Sequence, residues 1–243
     1  MKMGGVVAII PARYQSERFP GKPLALLKGE PVIVHVARKA ASCKKIDHVI
    51  VATDSEEIHN AVTSCGFVAR MTSESHQSGT DRIAEVAKYT EDDIVVNIQG
   101  DEPLIDTESV DMAVQALLDD ETLNVSTLCI PVLEDDFKNP NVVKVVTDND
   151  GNALYFSRSP IPYNRESGTP TPMKKHIGLY VYRREFLIKY ALLQPSELEK
   201  VEKLEQLRIL QSGTRIKVIT ASRDSIGIDT PEDLIKAEAI KNV

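Results

Sequence analysis

Short, continuously apolar runs recur along the first half of this chain, and each is followed by an amphipathic stretch. "GVVAII" (5–10), "HVIVAT" (48–53) and "DIVVNI" (93–98) have the length of strands and show no polar alternation, and "FVARM" (67–71) reads as a short strand. The stretches between them carry helical periodicity. Residues 31–42 have Pro31 near the first turn, where its missing N–H costs nothing. Residues 54–66 open on acids and stop at Gly66. Residues 78–89 offer Ser78 or Thr80 as a cap, and 106–120 open with an acidic turn. Strands apolar on both sides and separated by helices imply a mostly parallel sheet covered on both faces. The fold class is therefore α/β, and 243 residues suit one such domain spanning 1–243.

From residue 141 the pattern changes. Residues 141–157 read as two strands joined by a turn at Asp150-Gly151, a strong hairpin signal. The following stretch, rich in proline and glycine, reads as loop, and 176–183 as a further strand. Residues 141–183 are thus expected to form an antiparallel extension. Helices over 184–193 and 197–213, a strand at 215–221 and a helix from Pro231 complete the reading.

Composition excludes several functions. A net charge of −7 is wrong for a phosphate-backbone partner, although a local basic pocket for a small anion is still allowed. No apolar run reaches the ~20 residues of a membrane-spanning helix. Pro11 and Arg13 interrupt the first apolar run too early for a signal peptide. Cys43, Cys65 and Cys129 are odd in number and widely spaced, with no metal-site or disulfide pattern. These features together read as a cytoplasmic protein with reduced thiols and neither membrane nor nucleic-acid partner.

Ligands of parallel α/β sheets bind at the carboxyl ends of the strands. Residues 11–24 follow the first strand and gather Arg13, Arg18 and Lys22 in a turn stiffened by Pro20, Gly21 and Pro23. Such a loop can face a polyphosphate with backbone N–H groups and cations. A solvated turn with incidental charges is the bland alternative, but three cations directly after the first strand argue against it. Neither G-x-x-x-x-G-K-[ST] nor G-x-G-x-x-G occurs, so an ordinary phosphate-loop NTPase or a dinucleotide enzyme is not supported.

"NIQGDEPL" puts Asp101 and Glu102 at the tip of another strand behind Gly100, a common way to hold a divalent ion beside phosphates. In "GIDTPEDL", helix capping accounts for Thr230, Pro231 and Asp233 but leaves Asp229 unexplained. If the fold brings Asp229 to Asp101, the two carboxylates can share a metal. "TSESHQSGTDR" (72–82) is at least a capped helix start, with hydroxyls that could meet a base or ribose. His76 and His176 read by pattern as surface residues. No G-x-S-x-G elbow is present, which argues against covalent catalysis.

"IIPARYQSERFPGKPL" resembles the N-terminal signature of the 3-deoxy-manno-octulosonate cytidylyltransferase family, the CMP-Kdo synthetases. The resemblance continues through "VIVATDSEEI", "MTSESHQSGTDRIAEV", "DDIVVNIQGDEPLI", "NPNVVKVVTDNDGNALYFSRSPIPY", "HIGLYVYR", "LEQLRILQSG" and "GIDTPEDL", nearly the whole chain. It implies a nucleotide-diphospho-sugar transferase-like fold. It also implies a reaction of CTP with Kdo giving CMP-Kdo and pyrophosphate, with Mg2+, on the way to lipopolysaccharide. A homodimer is implied too, with 141–183 as its contact arm.

Carried over motif by motif, the resemblance implies that Arg13, Ser16, Arg18 and Lys22 hold the CTP phosphates. Pro11, Ala12, Ser78, Gly79 and Thr80 would contact the cytidine, and Asp101 and Asp229 would ligate magnesium. Gln99, Arg158, His176, Tyr180, Glu205 and Gln206 would line the sugar site, where Arg158 would answer the sugar's carboxylate. Phe19 stands where leucine is commoner, no arginine precedes His176, and the loop 165–173 is shorter than in some relatives. The last two features border the sugar pocket, so 8-amino-Kdo and sialic acid stay open as alternative sugar acids. A nucleotide-binding protein without catalysis is the alternative from another class.

Overall fold

The computed structural model describes residues 4–15, 19–132, 134–166, 173–225 and 227–240. The strands are β1 (Val6–Ala12), β2 (Leu26–Leu27), β3 (Glu30–Pro31), β4 (His48–Thr53), β5 (Val68–Met71), β6 (Ile94–Asn97), β7 (Val125–Pro131), β8 (Lys144–Thr147), β9 (Ala153–Ser157), β10 (Lys174–Arg183) and β11 (Ile216–Thr220). The helices are α1 (Val32–Ala41), α2 (Glu56–Ser64), α3 (Gly79–Ala87), α4 (Thr107–Asp119), α5 (Glu134–Phe137), α6 (Arg184–Tyr190), α7 (Glu197–Glu202), α8 (Gln206–Gln211) and α9 (Pro231–Glu238).

The main sheet runs β11-β7-β10-β6-β1-β4-β5, with β8 and β9 branching from β10. Pairings among β6, β1, β4 and β5 are parallel, as is β7 with β11, whereas β10 is antiparallel to both its neighbours. Strand alternation splits the core in two. Val6, Ala8, Ile10 and Ala12 of β1 pack on the side that buries α1, α2 and α4. Val7 and Ile9 pack on the side that buries α3, α6 and α8. Both sides of β1 are therefore apolar, which is why its sequence shows no alternation.

Helix starts follow the capping residues. Ser55, Ser78 and Asp106 each accept a backbone N–H at the opening of α2, α3 and α4, so Ser78 rather than Thr80 is the cap of α3. Thr230 and Asp233 complete a capping box on α9, with Pro231 in its first turn.

Three sequence expectations need correction. Residues 125–131, not read as an element, form β7 in the body of the sheet. The run 197–213 is not one helix: Lys203 takes a left-handed conformation (φ 55°) and separates α7 from α8. Residues 174–183 make one long strand of the main sheet, paired with β7 at both ends of its bulge and with β6 over Tyr180–Arg183, while β8 and β9 form the expected hairpin around Gly151.

Candidate active site

The site lies where β1 and β6 end side by side. At Gly100 an added Cβ would sit 2.6 Å from the Pro11 carbonyl oxygen, so only glycine lets the two chain ends approach this closely. At Gly79 the same construction meets Pro11 Cγ at 3.3 Å, so the start of α3 closes over the end of β1. The loop after β1 folds back on itself. Gly21 adopts φ 71° and donates its N–H to the Tyr14 carbonyl, and Pro23 sits in the short helical turn that follows. That turn aims Lys22 at the carboxylates beyond the strand ends.

Lys22 Nζ lies 2.5 Å from Asp101 Oδ2 and 3.3 Å from Asp229 Oδ1. Two acids far apart in sequence therefore enclose one cation. A backbone hydrogen bond from Ile228 N to the Asp101 carbonyl, 2.8 Å, splices the segment before α9 onto the end of β6. This bond explains why Asp229, which the capping motif does not need, faces Asp101. Glu102 lies beside them, and burial and the Asp101 charge push its carboxyl up to about 7.

Two compartments of about 310 and 780 Å³, the size of small-molecule sites, adjoin here, and the Lys22 cluster lines the smaller. The first is lined by Pro11, Ala12, Arg13, Lys22, Ser78, Gly79, Asp101 and Asp229. Arg158, His176, Tyr180, Gln206 and Thr80 line the second. Gln99, Gly79 and Glu205 border both. Every described candidate thus lines one or both of these adjoining compartments. Ser16 and Arg18 lie outside the described residues.

The second compartment has aromatic and charged walls. His176 is not a surface residue: it sits between the rings of Phe156 (4.9 Å, edge-on) and Tyr180 (5.4 Å). Desolvation there holds its imidazole down at about 3, so it is neutral at physiological pH. The Arg158 guanidinium donates to the carbonyls of Glu202, Pro140 and Lys203 at 2.8, 3.0 and 3.4 Å. Each nitrogen makes one of these bonds, so both terminal nitrogens keep a second N–H. Burial raises the Glu205 carboxyl, while a hydrogen bond from the Thr80 hydroxyl opposes the shift.

Further residues line the cleft that the sequence reading did not single out. Asn97, buried at the end of β6, and Lys175, paired with Asp224 at 2.7 Å, face the second compartment. Arg82 faces the first and is tied to Asp54 at 2.5 Å. Arg82 and Asn97 stand in segments already read as helix and strand, so their polarity at buried positions was the available signal.

The family profile described as cytidylyltransferase matches residues 7–216. A 3-deoxy-manno-octulosonate cytidylyltransferase of Pelobacter propionicus is 51% identical, covering 96% of this chain and 95% of that protein. One from Geotalea daltonii is also 51% identical, over 95% and 96%. Among solved structures, CMP:2-keto-3-deoxy-manno-octonic acid synthetase complexed with CTP superposes with a TM-score of 0.93 at 43% identity, covering 97% of each chain. The 4-diphosphocytidyl-2C-methyl-D-erythritol synthase of Anaerococcus prevotii shares the fold at a TM-score of 0.62 and 16% identity, covering 97% of this chain and 95% of that one. The mixed α/β sheet and the cleft at its strand ends are those of a nucleotidyltransferase. Within that class, the chain belongs to the 3-deoxy-manno-octulosonate cytidylyltransferase family.

Proposed function

We propose that this chain transfers CMP from CTP to Kdo, releasing pyrophosphate, as a step toward lipopolysaccharide. The observation that carries the reading is the Lys22–Asp101–Asp229 cluster in the wall of the first compartment, which adjoins the second through Gly79, Gln99 and Glu205. CTP occupies the first compartment, with its phosphates on Arg13, Ser16, Arg18 and Lys22 and its cytidine against Pro11, Ala12, Ser78 and Gly79. Kdo occupies the second, bounded by Gln99, Arg158, His176, Tyr180, Glu205 and Gln206, with Thr80 beside it. Its carboxylate meets the free N–H groups of Arg158.

The anomeric hydroxyl of Kdo attacks the α-phosphorus of CTP. A new C–O–P linkage forms, the bond to the bridging oxygen breaks, and pyrophosphate leaves with that electron pair. The hydroxyl proton passes to solvent. Arg13 and Lys22 stabilise the departing charge. No protein nucleophile takes part.

Asp101 and Asp229 fit a divalent ion, because they already enclose one cation, the Lys22 ammonium, with hard oxygen donors. Among the described residues no three acids, histidines or cysteines are grouped to hold a metal, so Asp101 and Asp229 would hold a divalent ion only together with oxygens from outside the protein. When bound there, Mg2+ neutralises α-phosphate charge and lowers the hydroxyl's pKa.

We also infer a cytoplasmic homodimer of single-domain chains, with residues 141–183 as the arm that meets the second copy. Leu154 and Tyr163, 62% and 88% exposed, are apolar surface on that arm suited to such a contact. No helix among the described residues is long and apolar enough to cross a membrane.

The reaction is tested by pyrophosphate release from CTP and from UTP, each with Kdo, 8-amino-Kdo and sialic acid. CTP with Kdo should be the productive pair. Preference for 8-amino-Kdo or sialic acid would reassign the sugar, and CTP binding without pyrophosphate from any acid would indicate a non-catalytic binder.

A further inference from the structure

Strand β10 leaves its register with β7 at one point: Ile177 pairs with Leu128, but the next matched pair is Tyr180 with Thr127. Gly178 and Leu179 therefore bulge out of the ladder. The bulge turns two carbonyls, those of Ile177 and Leu179, toward the Thr127 side chain, which is completely buried. Thr127 Oγ1 lies 2.7 Å from the Leu179 oxygen, 3.3 Å from the Ile177 oxygen and 2.9 Å from His176 Nε2.

A hydroxyl has one proton, and carbonyl oxygens only accept. The Thr127 proton is thus committed to the bulge, and the contact with His176 needs the ring nitrogen to donate. We propose that Thr127 is a positioning residue: it holds His176 as the neutral Nε2–H tautomer, so that the Nδ1 lone pair accepts a hydroxyl of the sugar acid in the second compartment.

The protein's other interactions agree with this. Desolvation between Phe156 and Tyr180 excludes the doubly protonated ring. The neutral ring then has one N–H and one lone pair. With Nε2–H spent on Thr127, Nδ1 makes no hydrogen bond among the described residues. The same bulge presents the Gly178 carbonyl to Gln99 Nε2 at 3.3 Å, so one backbone irregularity aims two residues of the cleft. Thr127 touches no ligand itself and acts through the imidazole.

This assignment rests on the proposed sugar site for its consequence, but the tautomer can be measured without substrate. Long-range 1H–15N NMR of the 15N-labelled wild type, with the His176 signals identified by their loss in His176→Gln, should show the Nε2–H form. Thr127→Val should lose that preference and Thr127→Ser should keep it. In pyrophosphate-release kinetics, Thr127→Val should raise KM for Kdo about tenfold while KM for CTP stays within about twofold, one lost hydrogen bond's worth. Thr127→Ser should restore the wild-type value. An Nδ1–H imidazole in the wild type would overturn the proposal, and so would a Thr127→Val protein that keeps both the Nε2–H form and the wild-type KM. If the wild type turned over no Kdo, the proposed reaction would fall, while the NMR result would still decide the Thr127 assignment.

Discussion

Replacing Gly100 with alanine should damage catalysis through backbone geometry alone, without removing any polar group. The added Cβ would lie 2.6 Å from the Pro11 carbonyl oxygen, whereas ordinary contact begins near 3.4 Å. The obstacle is main chain, so rotation of a side chain cannot relieve it. The ends of β1 and β6 must part by about 0.8 Å to restore normal contact. Overpacking of this kind costs about 1–3 kcal/mol of stability. In a chain of this size that corresponds to a fall of roughly 3–10 °C in Tm.

The functional cost is larger, because the displaced strand ends carry Asp101 on one side and Pro11 to Arg13 on the other. A misplacement near 1 Å in a reacting constellation costs about a hundredfold in rate. Gly100→Ala should therefore lower kcat/KM for CMP-Kdo formation by about ten- to a hundredfold, measured by pyrophosphate release at saturating magnesium on protein shown to be folded by circular dichroism. The matched control is Gly227→Ala, whose nearest obstacles, the Asp101 carbonyl and Glu102 Cγ, are both at 3.9 Å, so it should stay within about twofold. A folded Gly100→Ala enzyme with wild-type kcat/KM would refute the idea that close approach of these two strands sets the site.

Lys22→Ala should raise KM for CTP about tenfold or more by removing a phosphate contact, and Asp101→Asn should abolish most turnover while sparing the fold. Unchanged kinetics in either case would count against the cluster's role. The Arg208–Glu199 pair, bonded at 2.5 and 2.7 Å with Arg208 also over the Tyr190 ring, is nearly buried. Glu199→Ala should cost about 3–5 kcal/mol in urea unfolding, and Glu199→Leu combined with Arg208→Met should recover most of it. Glu102 binds its proton more tightly in the fold (about 7) than in the unfolded chain (4.5), so its contribution to stability is complete below 4.5 and is lost as pH rises to about 7. Relative to Glu102→Gln, the wild type in metal-free buffer should lose up to about 1.4 kcal/mol per pH unit across that window, and parallel stability curves would rule this out. His176 acts with opposite sign: its pKa is lowered to about 3, so its contribution stands above 6.5 and is lost as pH falls toward 3.

The parallel strands β1, β4, β5 and β6, most helix starts and the charged groups following β1 and β6 were legible in the sequence, because each is encoded locally, whereas Gln99, Arg158, His176, Tyr180, Glu205 and Gln206 were reached only through the family resemblance. Apolar runs of strand length, a serine or threonine before an amphipathic stretch, and charged residues directly after a strand state their roles within a few residues. The strand at 125–131 was missed because it enters the sheet through partners some fifty and ninety residues away, His176 and Thr220 among them, rather than through a local signal. The break at Lys203 escaped because a non-glycine residue with positive φ leaves no compositional mark. Tertiary structure alone decided that Asp229 faces Asp101 across Lys22, and that His176 leaves the surface for a slot between Phe156 and Tyr180. Both outcomes depend on distant backbone contacts, the Ile228–Asp101 hydrogen bond and the β10 bulge, which exist only once the sheet has assembled. The chain's local chemistry determined which groups were available, and long-range register determined which of them meet.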